Sequence, residues 1–209
     1  MKLNLGCGLT APIGWINIDR SPNLLLDQVR PVKRALGRLG LLSEAHMTSW
    51  PRNVFRVNVR KGLAYESGSI EAIYSSHMLE HIYLDEVTPI LKECRRVICV
   101  GGVMRVALPD GEQWAAGLLA GDDRETGEPG LEFNKHLKAQ PFARPSLQSR
   151  VVGVFGASPH RWQPTYSLVA KMFKDAGFVD VERREFLTGN LPDISSVEHR
   201  RDSLFIEAW

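Results

Sequence analysis

Short apolar runs alternate with longer amphipathic stretches along the chain. Leu3–Leu5 and Trp15–Ile18 have the length of buried strands, and Gly6-x-Gly8 provides the turn between them. Further runs of this kind occupy residues 55–58, 70–75, 103–108, 178–181 and 203–209. Because helical patterns separate several of these runs, the sequence predicts an α/β fold with a mostly parallel sheet and helices on both faces.

Three segments carry apolar residues at helical spacing. They are roughly residues 24–45, 88–100 and 168–176. Pro31 interrupts the first segment. Thr88 and Pro89 give the second segment an N-cap and a first helical residue. Each segment precedes a predicted strand, so the order of elements favours a parallel sheet.

From Gly111 to Gln163 the periodicity fades and Gly and Pro become frequent. We expect residues 111–163 to be an insertion after the fifth strand that covers the site, because long irregular segments in compact domains are often lids or binding loops. Disorder is the alternative for residues 121–130. The length is that of one domain, and we predict a single domain over residues 1–209.

Residues suited to binding a ligand follow five of the predicted strands. They are Gly6 with Gly8, Asp19, Asn58, Ser76 with His77, and Asp110. The carboxyl ends of parallel strands meet at one edge of a sheet, where ligands bind. An acid in the position of Asp19 typically binds ribose hydroxyls. The sequence therefore predicts a nucleoside site at this edge.

The glycine turn alone leaves two interpretations open. Gly6-x-Gly8-x-x-Ala11 has the form of the dinucleotide fingerprint, but that fingerprint directs a helix N-terminus at a pyrophosphate. Only residues 9–14, with Pro12 among them, precede the next strand, so no such helix fits. A nucleoside ligand without phosphates is therefore favoured over NAD or FAD. A structural turn between two core strands is the alternative.

The net charge of +2 gives no general case for a nucleic-acid partner. Locally, Arg30, Lys33, Arg34 and Arg38 have the spacing of one helical face. This makes the helix near residues 30–38 a candidate for peripheral contact with a membrane surface or an anionic substrate. A solvated helix face is the commoner alternative.

The number and spacing of the cysteines indicate the redox state of the compartment in which the protein resides. Cys7, Cys94 and Cys99 are odd in number and lack CxxC spacing, which favours reduced thiols over disulfides or a zinc knuckle. The first predicted strand follows Met1-Lys2 directly, which leaves no room for a signal peptide, and no apolar run approaches the ~20 residues of a membrane span. We therefore expect a cytoplasmic protein.

Two histidines follow the fourth predicted strand. His77 and His81 have four-residue spacing, which would place both on one helical face, and imidazole titrates near neutral pH. Both are therefore candidates for a general base. Asp110 could orient one of them or bind substrate, and His160 could reach the site from the insertion. A hydrogen-bonded structural role is the alternative for each histidine.

Residues 77–81 also spell H-x-x-E-H, the inverted zinc-peptidase signature, in which Glu80 would act as a base. The glycine turn and Asp19 would have no role in a peptidase. We therefore interpret the match as coincidence and predict no metal at the site. A zinc-dependent hydrolase is the alternative hypothesis, and stoichiometric zinc together with activity that a chelator abolishes would support it.

Six sequence segments occur in the order of a known family. They are residues 3–8 (LNLGCG), 16–19 (INID), 72–81 (AIYSSHMLEH), 91–97 (LKECRRV), 101–106 (GGVMRV) and 176–178 (AGF). Together they resemble the small class I S-adenosylmethionine-dependent methyltransferases of the type 11 group. The segment ending in Ser-Ser-His-Met-Leu-Glu-His is the most specific of the six.

The resemblance implies a Rossmann-like seven-stranded sheet with a reversed last strand, S-adenosylmethionine as cofactor and S-adenosylhomocysteine as product. It implies that Gly6 and Gly8 pass under the methionine part, that Asp19 holds the ribose, and that Asn58 and Val59 meet the adenine. The further cofactor-site residues that it implies are Asn4, Cys7, Arg20, Ser76 and His77.

The implied reaction is methyl transfer to a small molecule or a sugar, such as a cell-surface polysaccharide precursor, most simply at a hydroxyl. The candidate catalytic residues remain His77, His81 and Asp110. Asn58 and Asn4 stand where the family usually has acids, so we expect weaker cofactor binding than the family average. A non-catalytic nucleoside-binding protein of the same fold is the alternative.

Overall fold

A seven-stranded sheet forms the centre of the computed structural model, which describes residues 1–42, 44–120, 133, 137 and 159–209. The strands are β1 (Lys2–Leu5), β2 (Ile16–Asp19), β3 (Val54–Arg56), β4 (Ile70–Ser76), β5 (Ile98–Leu108), β6 (Val181–Arg184) and β7 (Leu204–Ala208). Their order across the sheet is β3-β2-β1-β4-β5-β7-β6. The seven predicted strands are therefore confirmed, although some of their bounds differ.

Five strands are parallel and the last hairpin is reversed. β1 pairs in parallel with β2 and β4, β2 with β3, and β4 with β5. β7 lies between β5 and β6 and is antiparallel to both. The reversed last strand that the family resemblance implies is therefore present. The carboxyl ends of the five parallel strands lie at one edge, as the site prediction requires.

Helices accompany the sheet. Those of the described residues are α1 (Pro22–Gln28), α2 (Arg30–Arg38), α3 (Glu44–Met47), α4 (Leu84–Val97), α5 (Gly111–Ala120), α6 (Tyr166–Asp175) and α7 (Ile194–Val197), with 3₁₀ turns at Val59–Lys61 and Leu79–His81. No helix among the described residues has both the length and the apolar character needed to cross a membrane.

Both faces of the sheet are buried. Ile73 belongs to an apolar cluster with residues of α4 and α6, whereas its neighbours Ala72 and Tyr74 belong to a second cluster that includes Val197 of α7. Successive side chains of a strand point to opposite faces, which explains this division. The prediction of helices on both faces is confirmed.

The helix before β5 differs from its predicted bounds. It begins at Leu84, with Asp85 in its first turn, and Pro89 lies within it. An acid in the first turn is favourable at the positive end of a helix, which explains the earlier start. The helix ends at Val97, and β5 begins at once and runs through Gly101-Gly102. Gly101 has φ +77°, so a strand that bends here accounts for the glycine pair.

The predicted strand at residues 178–181 is displaced toward the C-terminus, because β6 begins at Val181. Phe178 is buried and packs edge-to-face on Phe173 of α6, with ring centroids 5.0 Å apart. Its apolar character therefore reflects packing after the helix and not a strand. A second difference is α5, which forms over Gly111–Ala120, where the sequence pattern fades. Most of the predicted lid, residues 121–158 apart from positions 133 and 137, lies outside the described residues.

The predicted basic helix is present at residues 30–38, but its four basic residues do not form one exposed face. The predicted helix is interrupted at Val29, which ends α1 and precedes α2, and Pro31 lies in the first turn of α2. Lys33 is buried, and its Nζ donates to Asp27 Oδ1 and to the Thr48 carbonyl, both at 2.7 Å. Burial opposes ionisation of Asp27, but the hydrogen bonds from Lys33 and Trp50 N hold the pKa of its carboxyl below the usual value.

Lys33 is therefore a structural residue, because an isolated charge is stable in the interior only when it is paired. The exposed positive charges of α2 are those of Arg30, Arg34 and Arg38. The predicted four-residue basic face is corrected to these three arginines.

A buried ion network joins β5 to the C-terminal part of the sheet. Arg105 is fully buried, and its Nε and Nη2 donate to both carboxylate oxygens of Glu198 at 2.6 and 2.8 Å. Its Nη1 donates to Glu207 Oε1 at 3.1 Å, and the carbonyls of Thr188 and Glu185 accept the two other hydrogen bonds. All five guanidinium N–H groups are thus satisfied.

Candidate functional site

The glycine turn is attached to the end of β2. The amides of Gly6 and Cys7 donate to the Ile18 carbonyl at 2.8 and 3.1 Å, and the Gly8 amide donates to Asp19 Oδ2 at 2.9 Å. Gly6 and Gly8 both have left-handed backbone conformations, with φ +66° and +54°. Asp19 therefore points toward the turn, which is the placement that the sequence predicts.

The Asp19 carboxylate retains capacity for a ligand. Its second oxygen, Oδ1, accepts from the Ser21 amide at 2.6 Å. A carboxylate offers about four lone-pair positions, so one amide on each oxygen leaves room for hydroxyl donors. The side chain is half-buried. This is a suitable environment for binding a diol.

The space around the two glycines differs. A Cβ atom added to Gly6 would lie 2.6 Å from Met78 Cβ, whereas one added to Gly8 would meet nothing within 4 Å. Met78 follows β4, so the first turn and the end of the fourth strand are in direct contact. This contact places the residues after β4 beside the glycine turn.

Asn4 lies beneath the turn. Its side chain is 2% exposed, and Nδ2 donates to the Thr10 carbonyl at 2.8 Å and to Asn17 Oδ1 at 3.1 Å. Asn17 Nδ2 donates in turn to the carbonyls of Pro12 and Trp15. The amides thus fix the loop between β1 and β2. This network explains why side-chain amides, which both donate and accept hydrogen bonds, occupy positions 4 and 17.

Of two other predicted cofactor residues, Cys7 lies within the turn and Arg20 follows β2. Cys7 is buried, and burial together with the charge of Asp19 raises the pKa of its thiol to about 12, so it remains a thiol at neutral pH. Arg20 is exposed beyond the end of β2. Cys94 is also buried and free, and Cys99 is half-buried and free, so the prediction of reduced thiols agrees with the structure.

Asn58 and Val59 follow β3 at the same edge. Asn58 Oδ1 accepts from the Arg60 amide at 3.3 Å and caps the 3₁₀ turn Val59–Lys61. Both residues are half-buried. The amide at position 58 thus has a structural partner and remains at the surface of the site.

Glu93 of α4 holds this turn in place. Its Oε1 accepts from the Leu63 amide at 2.8 Å, and Arg96 donates to both of its oxygens at 2.7 and 2.8 Å. The hydrogen bonds from Arg96 are the largest cause that lowers the pKa of Glu93 to about 2, with burial opposing them. Arg96 also donates to the Leu63 carbonyl.

His77 directly follows β4 in a strained conformation. Its φ is +48°, which is uncommon for a residue other than glycine and occurs often at functional sites. Its amide donates to the Ala107 carbonyl at 2.9 Å, which continues the pairing with β5. Its Nε2 lies 3.0 Å from Ser203 Oγ, and its Nδ1 lies 3.3 Å from Glu80 Oε1. Ser76, before it, is half-buried.

The prediction that His77 and His81 share a helical face is wrong. Leu79–His81 forms a 3₁₀ turn and His77 lies outside it, so the four-residue spacing does not stack the rings. The two histidines instead surround the carboxylate of Glu80. His81 Nε2 lies 4.0 Å from Glu80 Oε1, and His160 Nε2 lies at the same distance. His160 thus reaches the site from the predicted insertion.

Asp110 has other partners. It follows β5 at the predicted edge, but its Oδ1 accepts from the amides of Glu112 and Gln113 at the start of α5. Its Oδ2 accepts from Arg183 Nη2 at 2.6 Å. These contacts cap a helix and pair a buried carboxylate, and among the described residues no hydrogen bond joins Asp110 to a histidine. They favour a structural role for Asp110.

The sequence matches a family model. Residues 3–106 match the model described as a methyltransferase domain. The chain belongs to this methyltransferase family. The match ends in β5, so it contains the glycine turn, Asp19, Asn58 and His77. The hairpin of β6 and β7 lies outside it. No curated protein matches the sequence significantly.

Two solved structures with TM-scores of 0.50 agree with the fold of this methyltransferase. An S-adenosylmethionine-dependent methyltransferase from Thermotoga maritima is 15% identical, with coverage of 100% of this chain and 81% of that chain and a TM-score of 0.50. The PH0226 protein from Pyrococcus horikoshii is 15% identical, with coverage of 99% and 80% and a TM-score of 0.50. A candidate O-methyltransferase from Nostoc punctiforme is 11% identical, with a TM-score of 0.48. It covers 99% of this chain, and this chain spans about half, 51%, of that protein.

S-adenosylmethionine is the cofactor of the family, and the residues of this methyltransferase fit it. The turn at Gly6 has no room for a side chain, and Gly8 presents bare backbone to open space. The adjacent Asp19 carboxylate keeps acceptor capacity for two hydroxyls. No helix N-terminus follows the glycines before β2, so the site suits a nucleoside without phosphates.

Several contacts of the site were not predictable from sequence spacing. Met78 supports Gly6, Ser203 contacts His77, and Glu80 lies among the histidines. The H-x-x-E-H match identified Glu80, but it assigned Glu80 the role of a base. In the structure Glu80 instead lies at the centre of the three histidines. Ser203 comes from the loop before β7, and only the reversed strand brings it to β4. For Ser203 the sequence offers no signal.

Proposed function

We propose that this methyltransferase moves the methyl group of S-adenosylmethionine to a hydroxyl of a small-molecule or saccharide acceptor. The observation that carries the proposal is the contact between the two ends of the site. Asp19 faces the glycine turn, and the residues after β4 pack on the same turn through Met78. A diol-binding group and a strained histidine therefore lie along one edge.

The cofactor-binding roles follow from this arrangement. Gly6 and Gly8 would approach the methionine part, and Asp19 would accept hydrogen bonds from the ribose hydroxyls. Asn58 and Val59 would border the adenine, in the position that Glu93 stabilises. Cys7, Arg20, Ser76 and His77 would complete the wall of the site. Asn4 would act through the loop that it holds, because its amide is already engaged.

The proposed base is His77. When bound, S-adenosylmethionine supplies an electrophilic methyl group on a sulfonium and leaves as S-adenosylhomocysteine. His77 would accept the proton of the acceptor hydroxyl as the oxygen becomes a nucleophile, and Glu80, 3.3 Å from Nδ1, would orient the ring. A hydroxyl acceptor is favoured because it needs such a base. The protein's remaining contribution is positioning and exclusion of water.

The hydrolase alternative is not favoured. A base that activates a metal-bound water must reach that water, but Glu80 is fully buried and points into the histidine cluster. The peptidase chemistry also leaves the glycine turn and Asp19 without a role. A non-catalytic nucleoside-binding protein stays an alternative, and the experiments below distinguish it.

The first test measures cofactor binding by calorimetry with S-adenosylmethionine and S-adenosylhomocysteine. We expect saturable binding to the wild-type chain and at least ~10-fold weaker binding to Asp19→Ala, because hydrogen bonds to a charged group contribute roughly 1.5–3 kcal/mol. Asp202→Ala, which removes an exposed acid, is the control and should bind normally. No saturable heat with either ligand would reject the proposal.

The second test separates an enzyme from a binding protein. Methyl release is measured over a panel of sugars, lipid-linked sugars and small phenols. His77→Ala should slow turnover by about 100-fold or more with cofactor affinity within about twofold, as expected for loss of a general base. His199→Ala, at an exposed histidine, is the control. Cofactor binding with no transfer to any acceptor would favour the non-catalytic alternative, and normal turnover of His77→Ala would assign His77 a structural role.

A further inference from the structure

The carboxylate of Glu80 is buried without a hydrogen-bond donor among the described residues. Its side chain is 0% exposed, and neither Oε1 nor Oε2 has a hydrogen-bond partner there. A buried carboxylate is normally paired, hydrogen-bonded or bound to a metal, because it is costly to remove its charge from water otherwise. The side chain therefore needs a partner of positive charge.

The groups around this carboxylate are imidazoles. Three imidazole nitrogens lie within 4.0 Å of Glu80 Oε1, namely His77 Nδ1 at 3.3 Å, His81 Nε2 at 4.0 Å and His160 Nε2 at 4.0 Å. The rings of His81 and His160 meet edge-to-face with centroids 5.0 Å apart. One oxygen atom and two Nε2 atoms thus converge on one point beside the 3₁₀ turn.

The tautomer of His81 favours metal binding. Its Nδ1 lies 3.3 Å from the carbonyl of Pro159, which can only accept a hydrogen bond. Nδ1 is therefore the protonated nitrogen of the neutral ring, and Nε2 presents its lone pair toward Glu80. A ring nitrogen fixed by a backbone carbonyl is the usual second contact of a metal-binding histidine.

Contacts of Arg161 and Trp162 hold the two parts of the cluster together. The Arg161 amide donates to the Glu80 carbonyl at 2.8 Å. Trp162 Nε1 donates to the carbonyls of Leu79 and Ile82 at 3.3 and 3.1 Å. The Arg161 guanidinium lies 3.9 Å from the centroid of the Tyr83 ring. His160 is therefore attached to the turn that carries Glu80 and His81 by several contacts on either side.

We propose that Glu80, His81 and His160 bind one divalent transition-metal ion of the Zn²⁺ class. Their ligand atoms all lie within 4.8 Å of one another. Ligands of tetrahedral zinc are about 3.4 Å apart, so a shift of well under about 1 Å closes the observed 4.0 Å separations. Two imidazoles and one carboxylate are a suitable donor set for such an ion and leave a coordination position open.

The position of the site suggests a use in the proposed reaction, and this part of the inference rests on the proposed function. The cluster follows β4 directly, and Met78 between His77 and Glu80 packs on Gly6. The open position would bind an oxygen of the acceptor and lower the pKa of its hydroxyl. The proton would pass to His77, and the oxygen would form its bond to the methyl carbon as the carbon–sulfur bond breaks.

The test is metal binding to the chelator-treated, dialysed chain of residues 1–209. Titration with ZnCl₂ by calorimetry, and with CoCl₂ by visible absorption, should give one ion per chain. His81→Ala and His160→Ala should each bind at least ~10-fold more weakly, since even loss of an outer contact to a metal ligand costs ~10–100-fold. His199→Ala is the matched control, because it removes an exposed histidine outside the cluster.

Glu80→Gln gives a readout that does not depend on activity. Without metal this variant should have a melting temperature equal to or above that of the wild type, because it removes a buried charge. With ZnCl₂ the wild type should gain thermal stability and Glu80→Gln should gain little. A variant that is merely misfolded would melt lower under both conditions.

Two results would overturn the metal site. One is the absence of saturable Zn²⁺ or Co²⁺ binding to the wild type. The other is stoichiometric binding that the three cluster variants leave unchanged, which would place the ion elsewhere. S-adenosylhomocysteine binding in the same samples reports on the proposed function separately, so each hypothesis can fail without the other.

Discussion

At the scale of single residues, the site depends on the absence of side chains at Gly6 and Gly8. Gly6 and Gly8 both have positive φ, but only Gly6 faces another side chain at close range. The two positions therefore separate two costs of an added side chain. One is the left-handed backbone conformation, and the other is overlap with Met78.

We expect Gly6→Ala to lower the free energy of unfolding by about 2–4 kcal/mol. About 1–2 kcal/mol comes from the left-handed conformation and the rest from overpacking against Met78. Gly8→Ala should cost only the first part. Urea denaturation of both variants measures the difference. Equal decreases in the free energy of unfolding for the two variants would show that Met78 moves to accommodate the added methyl group without a measurable loss of stability.

The sequence predicted the residue positions that topology alone determines. Asp19 faces the glycine turn because both follow adjacent parallel strands. The histidine cluster could not be predicted in this way, because His160 arrives through contacts of Arg161 and Trp162 with the turn after β4. Such docking depends on packing between distant segments, which periodicity does not encode.

At the scale of elements, short connections carry the ligand site, and longer elements hold them. The turn after β3 is attached to α4 by Glu93, whose carboxylate accepts from Leu63 and Arg96. An added Cβ at Gly62 would also lie 3.3 Å from Glu93 Oε1. The proposed adenine contact of Asn58 and Val59 would therefore depend on Glu93, which is not one of the proposed cofactor-binding residues.

We expect Glu93→Gln to lower the free energy of unfolding by about 1–2 kcal/mol at pH 7, after discounting for the partial exposure of the ion pair. Because the folded-state pKa is lowered from 4.5 to about 2, the stabilisation is present above pH 4.5 and is lost as the pH falls through about 2. Urea denaturation from pH 7 to pH 3 measures this. The gap between wild type and variant should narrow on acidification.

Glu66→Gln, which changes an exposed acid near the same turn, is the control for Glu93 and should be nearly neutral. A gap that stays constant down to pH 3 would show that Glu93 acts through packing and not through its charge. A gap that widens on acidification would contradict the direction of the pKa shift.

Element existence was more predictable than element bounds. All seven strands were predicted from runs of residues bounded by turns, although the edge strands β3 and β6 are only partly buried. The predicted bounds of α4, β5 and β6 were wrong. At these places an apolar residue belongs to a different element from the one that the sequence pattern around it indicates. Phe178 looks like a strand residue, but its ring packs on Phe173 of the preceding helix. Tertiary packing decides such cases.

At the scale of the whole molecule, Arg105 joins the family-matched part to the rest. Residues 3–106 match the family model, yet the partners of Arg105 lie between Glu185 and Glu207. A buried guanidinium and two buried carboxylates stabilise the fold only together. We therefore propose that residues 1–209 form one cooperative domain.

We expect Arg105→Met to lower the free energy of unfolding by about 3–5 kcal/mol, because it leaves Glu198 and Glu207 buried without their cation. Tryptophan fluorescence and far-UV circular dichroism in urea should still give one coincident transition. Arg200→Ala, at an exposed arginine, is the control. Two separated transitions in either protein would contradict the single domain.

The position of β7 has a consequence for synthesis. β6 pairs with β7, and β7 fills the place between β6 and β5, with all five of its residues buried. A ribosome delivers residues 181–184 first, and their hydrogen-bonding neighbour emerges about twenty positions afterwards. Until residues 204–208 have emerged, β5 has an unpaired apolar edge, so we expect the nascent chain to need shielding, for example by a chaperone, during this interval.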